Sequence, residues 1–129
     1  MSKELAVDLV ALCLDDWLWK GDPDTKNRLY SIAGPNDSDC PYECAEDLVN
    51  NKGMVELVFD DGEVIDVLYA DIVNGLDKAM EHHGIFGEFW AERGFLLLRH
   101  AKTQNQWAKQ VFRDTLIFAA YGEQGHELV

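Results

Sequence analysis

The segment Met54–Tyr69 constrains the fold of this chain more than any other. Two runs, Met54–Phe59 and Glu63–Tyr69, flank Asp60-Asp61-Gly62, the pattern of a β-hairpin. A two-residue loop sets Leu57 opposite Asp66 and mixes the two faces. A three-residue loop with Gly62 in the left-handed conformation instead lines up Val55, Leu57 and Phe59 with Ile65 and Val67. The second register is expected. It places Glu56 against Asp66 on the open face, a like-charge pair costing about 0.2–1 kcal/mol, little beside a whole buried face.

The remaining chain reads mainly as helices. From Lys3 to Lys20 apolar residues cover most of a helical surface, leaving only the narrow polar stripe Glu4–Asp8–Ala11–Asp15. A helix so apolar is buried on most sides and is expected to be central. Gly21-Asp22-Pro23-Asp24 ends it. Residues 28–33 suit a short strand, and Asn36 to Asp39 a polar loop. Pro41 is placed for the first turn of a helix to about Asn51, with Gly53 just past its end.

Asp71 is expected to cap a helix through about His83, with Ile72, Val73, Leu76, Ala79 and Met80 inward and Gly84 as terminator. An amphipathic turn, Ile85–Arg93, follows. Phe95–Leu98 is too short for periodicity to choose between helix and strand. Thr103 with Gln106 makes a capping-box pair. It opens a last helix to about Gly122 that buries Trp107, Val111, Phe112, Leu116, Ala119 and Tyr121, with Lys109 and Arg113 on its outer face. The expected fold is α+β: a small hairpin-based antiparallel sheet packed against a central N-terminal helix and a long C-terminal helix, in one acidic domain spanning 1–129.

Composition narrows the function classes. With 129 residues, 47% of them hydrophobic and 14 aromatic, one core can form without disulfide or metal. There is no run of 18 apolar residues, and the early acids Glu4 and Asp8 stand where a secretory leader is basic. Three cysteines without framework spacing suit a reducing compartment, so a cytoplasmic location is expected. The net charge is −13. Residues 1–92 carry 6 basic against 21 acidic side chains, a balance of −15; residues 93–129 carry 5 against 3, a balance of +2. Such a surface repels nucleic acid and anionic lipid and steers basic protein surfaces toward it. The same charge also serves plain solubility.

Few constellations offer chemistry. Cys40-Pro-Tyr-Glu-Cys44 has a spacing zinc allows, with His82 and His83 as the other half, but Cys44 shares a helical face with Leu48 and suits a small core residue. His82 and His83 suit general bases, or cations complementing a helix C-terminus. Asp15 and Asp16 stand at the unfavourable end of a helix dipole, a broken local rule that can mark a functional surface and equally suits two solvated acids near Lys20. Trp17 and Trp107 fall on apolar faces. Trp19 lies on the stripe of Asp15 and suits an interface anchor, or packing on the loop at 21–27. Phosphate-binding, dinucleotide, zinc-protease, nucleophile-elbow and EF-hand motifs are absent from the sequence.

From the hairpin onward the chain resembles a group of small phage and prophage proteins of unknown function. These pair a hairpin and a helix reading D-I-x-x-G-L with a C-terminal helix reading L-Q-Y-A-L-F-G-E. The matching residues are Asp71, Ile72, Gly75 and Leu76, then Leu116, Phe118, Ala119, Tyr121, Gly122 and Glu123. Ile117 stands where the group has Gln, and the group's aromatic-Gly ending is missing beyond Glu123. The resemblance covers about half of the chain. It implies a mobile-element origin, where small accessory proteins block host defence systems by binding them.

The expected function is therefore binding, without catalysis or cofactor. A phage-type accessory protein in the host cytoplasm would use acidic surface to occupy a basic, nucleic-acid-binding surface of a host defence effector of the CRISPR or restriction type, as a nucleic-acid mimic. The expected partner-binding residues are Asp15, Asp16, Trp19, Asp22, Asp24, Asp60, Asp61 and Glu63, in contact with protein or nucleoprotein and not with free nucleic acid or membrane. Two alternatives stand beside it: a metal-dependent or enzymatic protein using Cys40, Cys44, His82 and His83, and a structural or regulatory protein that self-associates through its aromatics.

Overall fold

The computed structural model describes residues 2–16, 29–59, 61–86, 90–103 and 105–129. Residues 17–24 and Asp60, on which several of the expectations fall, lie outside them. In chain order the elements are α1 (Lys3–Asp16), β1 (Leu29–Ala33), α2 (Pro41–Asn50), β2 (Met54–Phe59), β3 (Val64–Leu68), α3 (Tyr69–His82), α4 (Trp90–Lys102) and α5 (Gln106–Tyr121). A 3-10 turn, Gly122–Glu127, continues from α5. The fold is α+β, with an N-terminal helix, a long C-terminal helix and an antiparallel sheet in the order β1-β2-β3.

The hairpin adopts the expected register. Glu56 pairs with Asp66, Leu57 with Ile65 and Val55 with Val67. Gly62 has φ 86°, and its N–H donates to the Phe59 carbonyl at 2.9 Å; an L side chain is strained in that conformation. Val55, Leu57, Phe59 and Val67 are buried, whereas Glu56 and Asp66 face outward. The alternation of the sequence is thus the alternation of the two faces. β1, over residues expected to be extended, adds to the free edge of β2 with a bulge between Leu29 and Ser31.

Several boundaries and burials differ from expectation, and the open choice at Phe95–Leu98 is resolved. α3 begins at Tyr69, so Asp71 is its third residue and not its cap. Its carboxylate reaches back to accept the Leu68 N–H at 2.8 Å, satisfying a donor that the first turn leaves open. Phe95–Leu98 is helical: Leu97 and Leu98 turn inward, Phe95 and Leu96 outward. The cap of α5 is Asn105, whose side chain accepts the Trp107 N–H at 2.9 Å. Thr103 instead donates its hydroxyl to the His100 carbonyl and closes the end of α4. Trp107 is 36% exposed, because its ring stands edge-on to His100 across the α4–α5 turn instead of entering the core. Val73, Ala119 and Tyr121 are only half-buried, as are Lys109 and Arg113.

The core is organised on α5. Val111, Phe112 and Leu116 are fully buried, each worth about 1.5–3 kcal/mol relative to exposure. α3 lies along α5, and the glycine at position 75 makes that approach possible. A Cβ there would stand 2.5 Å from the Thr115 carbonyl oxygen and 2.7 Å from the Ala119 nitrogen. Both are helix backbone and cannot swing aside. The Thr115 hydroxyl, wholly buried, is paired, donating to the Val111 carbonyl at 2.8 Å. On its far side α5 meets α1, which buries Leu9, Cys13 and Leu14 and also packs along α2.

Gly75→Ala separates packing from propensity. Helix propensity alone predicts stabilisation by about 1 kcal/mol. Overpacking against backbone predicts a loss of about 1–3 kcal/mol. Chemical denaturation is expected to show the loss, while Asn74→Ala, one exposed residue away, stays within about 0.5 kcal/mol of wild type. A stabilised Gly75→Ala protein would contradict this account of the α3–α5 contact.

Candidate functional site

The polar stripe of α1 forms one wall of a groove. Asp8, Ala11, Leu12 and Asp15 face the start of α2 at Cys40, Pro41 and Tyr42 and the end of α4 at Leu98, Ala101 and Lys102, around a pocket of about 590 Å³. Asp8 and Tyr42 also line a second recess with Lys3, Glu4, Val7, Glu46 and Asn50. Leu98 and Lys102 also line a third with Phe95, Arg99 and Thr103. Shared walls make the three recesses one trough.

Its chemistry follows from the periodicity of α1. The apolar residues of the helix are spent on α2 and α5, so the remaining stripe must face water and carries acids. At 1.5 Å rise per residue, Glu4 and Asp8 are about 6 Å apart along the axis, and Asp8 and Asp15 about 10.5 Å. The middle recess is mostly apolar but carries Lys102 opposite Asp8 and Asp15; Lys3 stands at one end of the trough and Arg99 at the other. Tyr42 and Phe95, 54% and 61% exposed, flank it as large apolar groups open to solvent.

The expected partner-binding residues divide between two places. Asp15 is exposed in the trough. Asp16 is the last residue of α1. Asp61 and Glu63 are exposed at the hairpin tip, where the Asp61 carboxylate accepts the Glu63 N–H at 3.0 Å and the Glu63 carboxylate accepts the Tyr121 hydroxyl at 3.4 Å. Tyr121 ends α5, whereas the end of α4 beside Asp15 leads into the start of α5. Glu63 therefore meets the last residue of α5, whereas Asp15 lines a recess with the end of α4 and the start of α2. Trp19, Asp22, Asp24 and Asp60 lie outside the described residues, as does Trp17.

Comparison of the chain with family models, curated proteins and solved structures yields no match. The reading of the site rests on its own geometry.

Cysteines and histidines are not gathered into one centre. Cys44 is fully buried, its thiol donating to the Ser38 carbonyl at 3.4 Å. Burial pushes that thiol up to about 11, and Cys40, Glu43, Asp47 and Asp39 nearby push in the same direction. His83 Nε2 lies 2.7 Å from the Asp114 carboxylate. Asp114 is only 7% exposed, and burial raises its pKa while His83 draws it back. His82 faces His126. Among the described residues no group of three or more His, Cys, Asp or Glu side chains could hold a metal ion, and none of their helices is long and apolar enough to cross a membrane.

The residues missed by sequence reasoning are those α2 and α4 bring to the stripe: Tyr42, Glu46, Leu98, Ala101 and Lys102. The helical phase of Phe95–Leu98 was the only local signal, since an apolar run in a helix must leave part of itself on the surface.

The burial contrast predicts the order of thiol reactivity. Cys40 is exposed at the cap of α2, whereas the Cys44 thiolate forms only toward pH 11. Alkylation of the native protein at neutral pH, read by peptide mass spectrometry, is expected to modify Cys40 well before Cys44. Equal rates would show that the start of α2 does not hold Cys44 inside.

Proposed function

We propose that this chain is an acidic accessory protein of mobile-element origin that binds a host nucleic-acid-binding defence effector, of CRISPR or restriction type, and keeps it from its nucleic acid in the host cytoplasm. The observation that carries this reading is the placement of Asp8 and Asp15 on the wall of a mostly apolar recess, with Glu4 in the polar recess beside it. The carboxylates receive lysine or arginine side chains that the effector otherwise places on phosphates. The apolar floor between Leu12, Leu98 and Ala101 takes an anchor side chain, and the net charge of −13 speeds encounter with a basic surface. The acidic tip at Asp61 and Glu63 has other neighbours than Asp15 and lies outside the trough. It acts as a second contact on a large effector or adds to the long-range field. The resemblance of the hairpin and C-terminal helix to phage and prophage proteins supports the same origin.

Self-association is the second reading, favoured by the exposure of Phe86, Phe95 and Leu96. The charge opposes it, since two copies at −13 repel at low salt.

The test is capture from host lysate at low and high salt, followed by assay of the captured protein on its own DNA or RNA. The expected partner is released by salt and loses nucleic-acid binding when this chain is added. Asp8→Asn with Asp15→Asn is expected to weaken the complex about tenfold or more, equal to about 1.4 kcal/mol, and Asp61→Asn with Glu63→Asn to weaken it less. Affinity indifferent to salt, or a partner that keeps its nucleic acid, contradicts the proposal.

A further inference from the structure

We propose that the outer edge of β3 is a docking site for an extended segment of a basic protein, reading apolar-x-Lys/Arg-x-apolar, which joins the sheet as a further antiparallel strand. β3 stands last in the order β1-β2-β3, with no strand on its other side among the described residues. Hydrogen-bonded and open pairs alternate along an antiparallel ladder. The Phe59 N–H donates to the Glu63 carbonyl, so the pairs Leu57–Ile65 and Val55–Val67 are bonded in turn, and the backbone groups of Val64 and Asp66 point to the outer edge. The edge ends at Leu68, whose N–H the Asp71 carboxylate takes. Natural edges are commonly blunted by a bulge, a proline or a lysine. β3, Val-Ile-Asp-Val-Leu, has neither proline nor lysine, and its register with β2 runs without a bulge.

The side chains select the occupant. Val64 and Leu68 are exposed on the outer face, with Asp66 exposed between them. Behind them on β2, exposed Met54 stands opposite Leu68, and Glu56 opposite Asp66. These are open pairs, in which side chains come closest, so the two carboxylates repel. No ion pair between described residues includes either of them. An incoming strand with Lys or Arg against Asp66 relieves that repulsion, and its residues two before and two after meet Val64 and Leu68. A second copy does the reverse. Pairing β3 with itself about its middle residue sets one Asp66 against the other, with a Glu56 behind each. The carboxylates thus turn an open edge away from self-association and toward a basic strand. None of these residues lines the trough, so the edge takes its partner independently of the effector proposed there.

Nuclear magnetic resonance titration of the isotope-labelled chain tests the edge. The probes are a capped seven-residue peptide alternating threonine and valine with arginine at its centre, and the same peptide with glutamate there. Saturable shifts of the amides at 64–68 are expected with the arginine peptide, and binding about threefold or more weaker with the glutamate peptide. Asp66→Lys is expected to reverse that order, which loss of fold cannot mimic. Circular dichroism checks the variant, and Asp66→Asn, expected to narrow the difference, replaces it if it does not fold. Asp8→Asn with Asp15→Asn, in the trough, is expected to leave the titration unchanged. Absence of shifts at millimolar peptide, shifts centred on the trough, equal affinity for the two peptides, or a wild-type dimer joined through β3 overturns the proposal.

Discussion

The close approach of α3 to α5 at Gly75 is the contact on which the rest of the molecule depends. Two helix backbones meet where no side chain intervenes, and the carbonyl of Thr115 occupies the space that any Cβ would need. Because α3 follows β3 directly, this contact also sets where the sheet lies. Phe59 at the end of β2 reaches Tyr121 at the end of α5, with ring centroids 5.3 Å apart, and the hairpin tip is held there. The end of α3 is carried to the turn after α5, and His82 thereby meets His126. Interiors packed this tightly transmit small changes instead of absorbing them, so a methyl group at position 75 is felt at the tip and at the histidine pair alike.

The acidic trough arises from a different economy of surface. α1 must satisfy α2 on one side and α5 on another, and these contacts consume its apolar positions. What remains is a stripe too narrow to be anything but solvent-facing, and it carries Glu4, Asp8 and Asp15. The start of α2 and the end of α4 then stand over this stripe, turning a row of surface acids into a walled groove. An open acidic row attracts any cation weakly. Under the proposed function, walls with an apolar floor would exclude water around a bound side chain, so that its charge interaction is less screened and a partner gains specificity as well as speed. The folded arrangement thus converts composition into a shaped surface.

Much of the fold was legible because its signals are local. The hairpin register follows from alternation and from Gly62, and the inward position of Cys44 follows from its spacing to Leu48. The same holds for the polar stripe of α1. What escaped depended on contacts between distant segments. Thr103 and Gln106 have the spacing of a cap pair, yet Asn105 takes the role because α4 runs to Lys102 and Thr103 closes it by bonding back to the His100 carbonyl. Trp107 sits on an apolar face but is drawn to His100 across that turn. Phe95–Leu98 could not be assigned from four residues. The trough needs α2 and α4 beside α1, and the histidine pair needs residues 82 and 126 together; neither proximity leaves a mark in local sequence. The carboxylates at 15 and 61–63 look alike in the chain but have different neighbours in space, α2 and α4 for Asp15 and the end of α5 for Glu63.

Hydrogen–deuterium exchange of the chain, alone and bound to its captured effector, tests most directly whether the trough is the binding surface. Slowed exchange is predicted along 4–15, 40–46 and 95–102, with the strands of the hairpin protected to the same degree in both states. Protection confined to 54–68, with α1, α2 and α4 exchanging as in the free protein, would contradict the account and move the binding surface to the sheet.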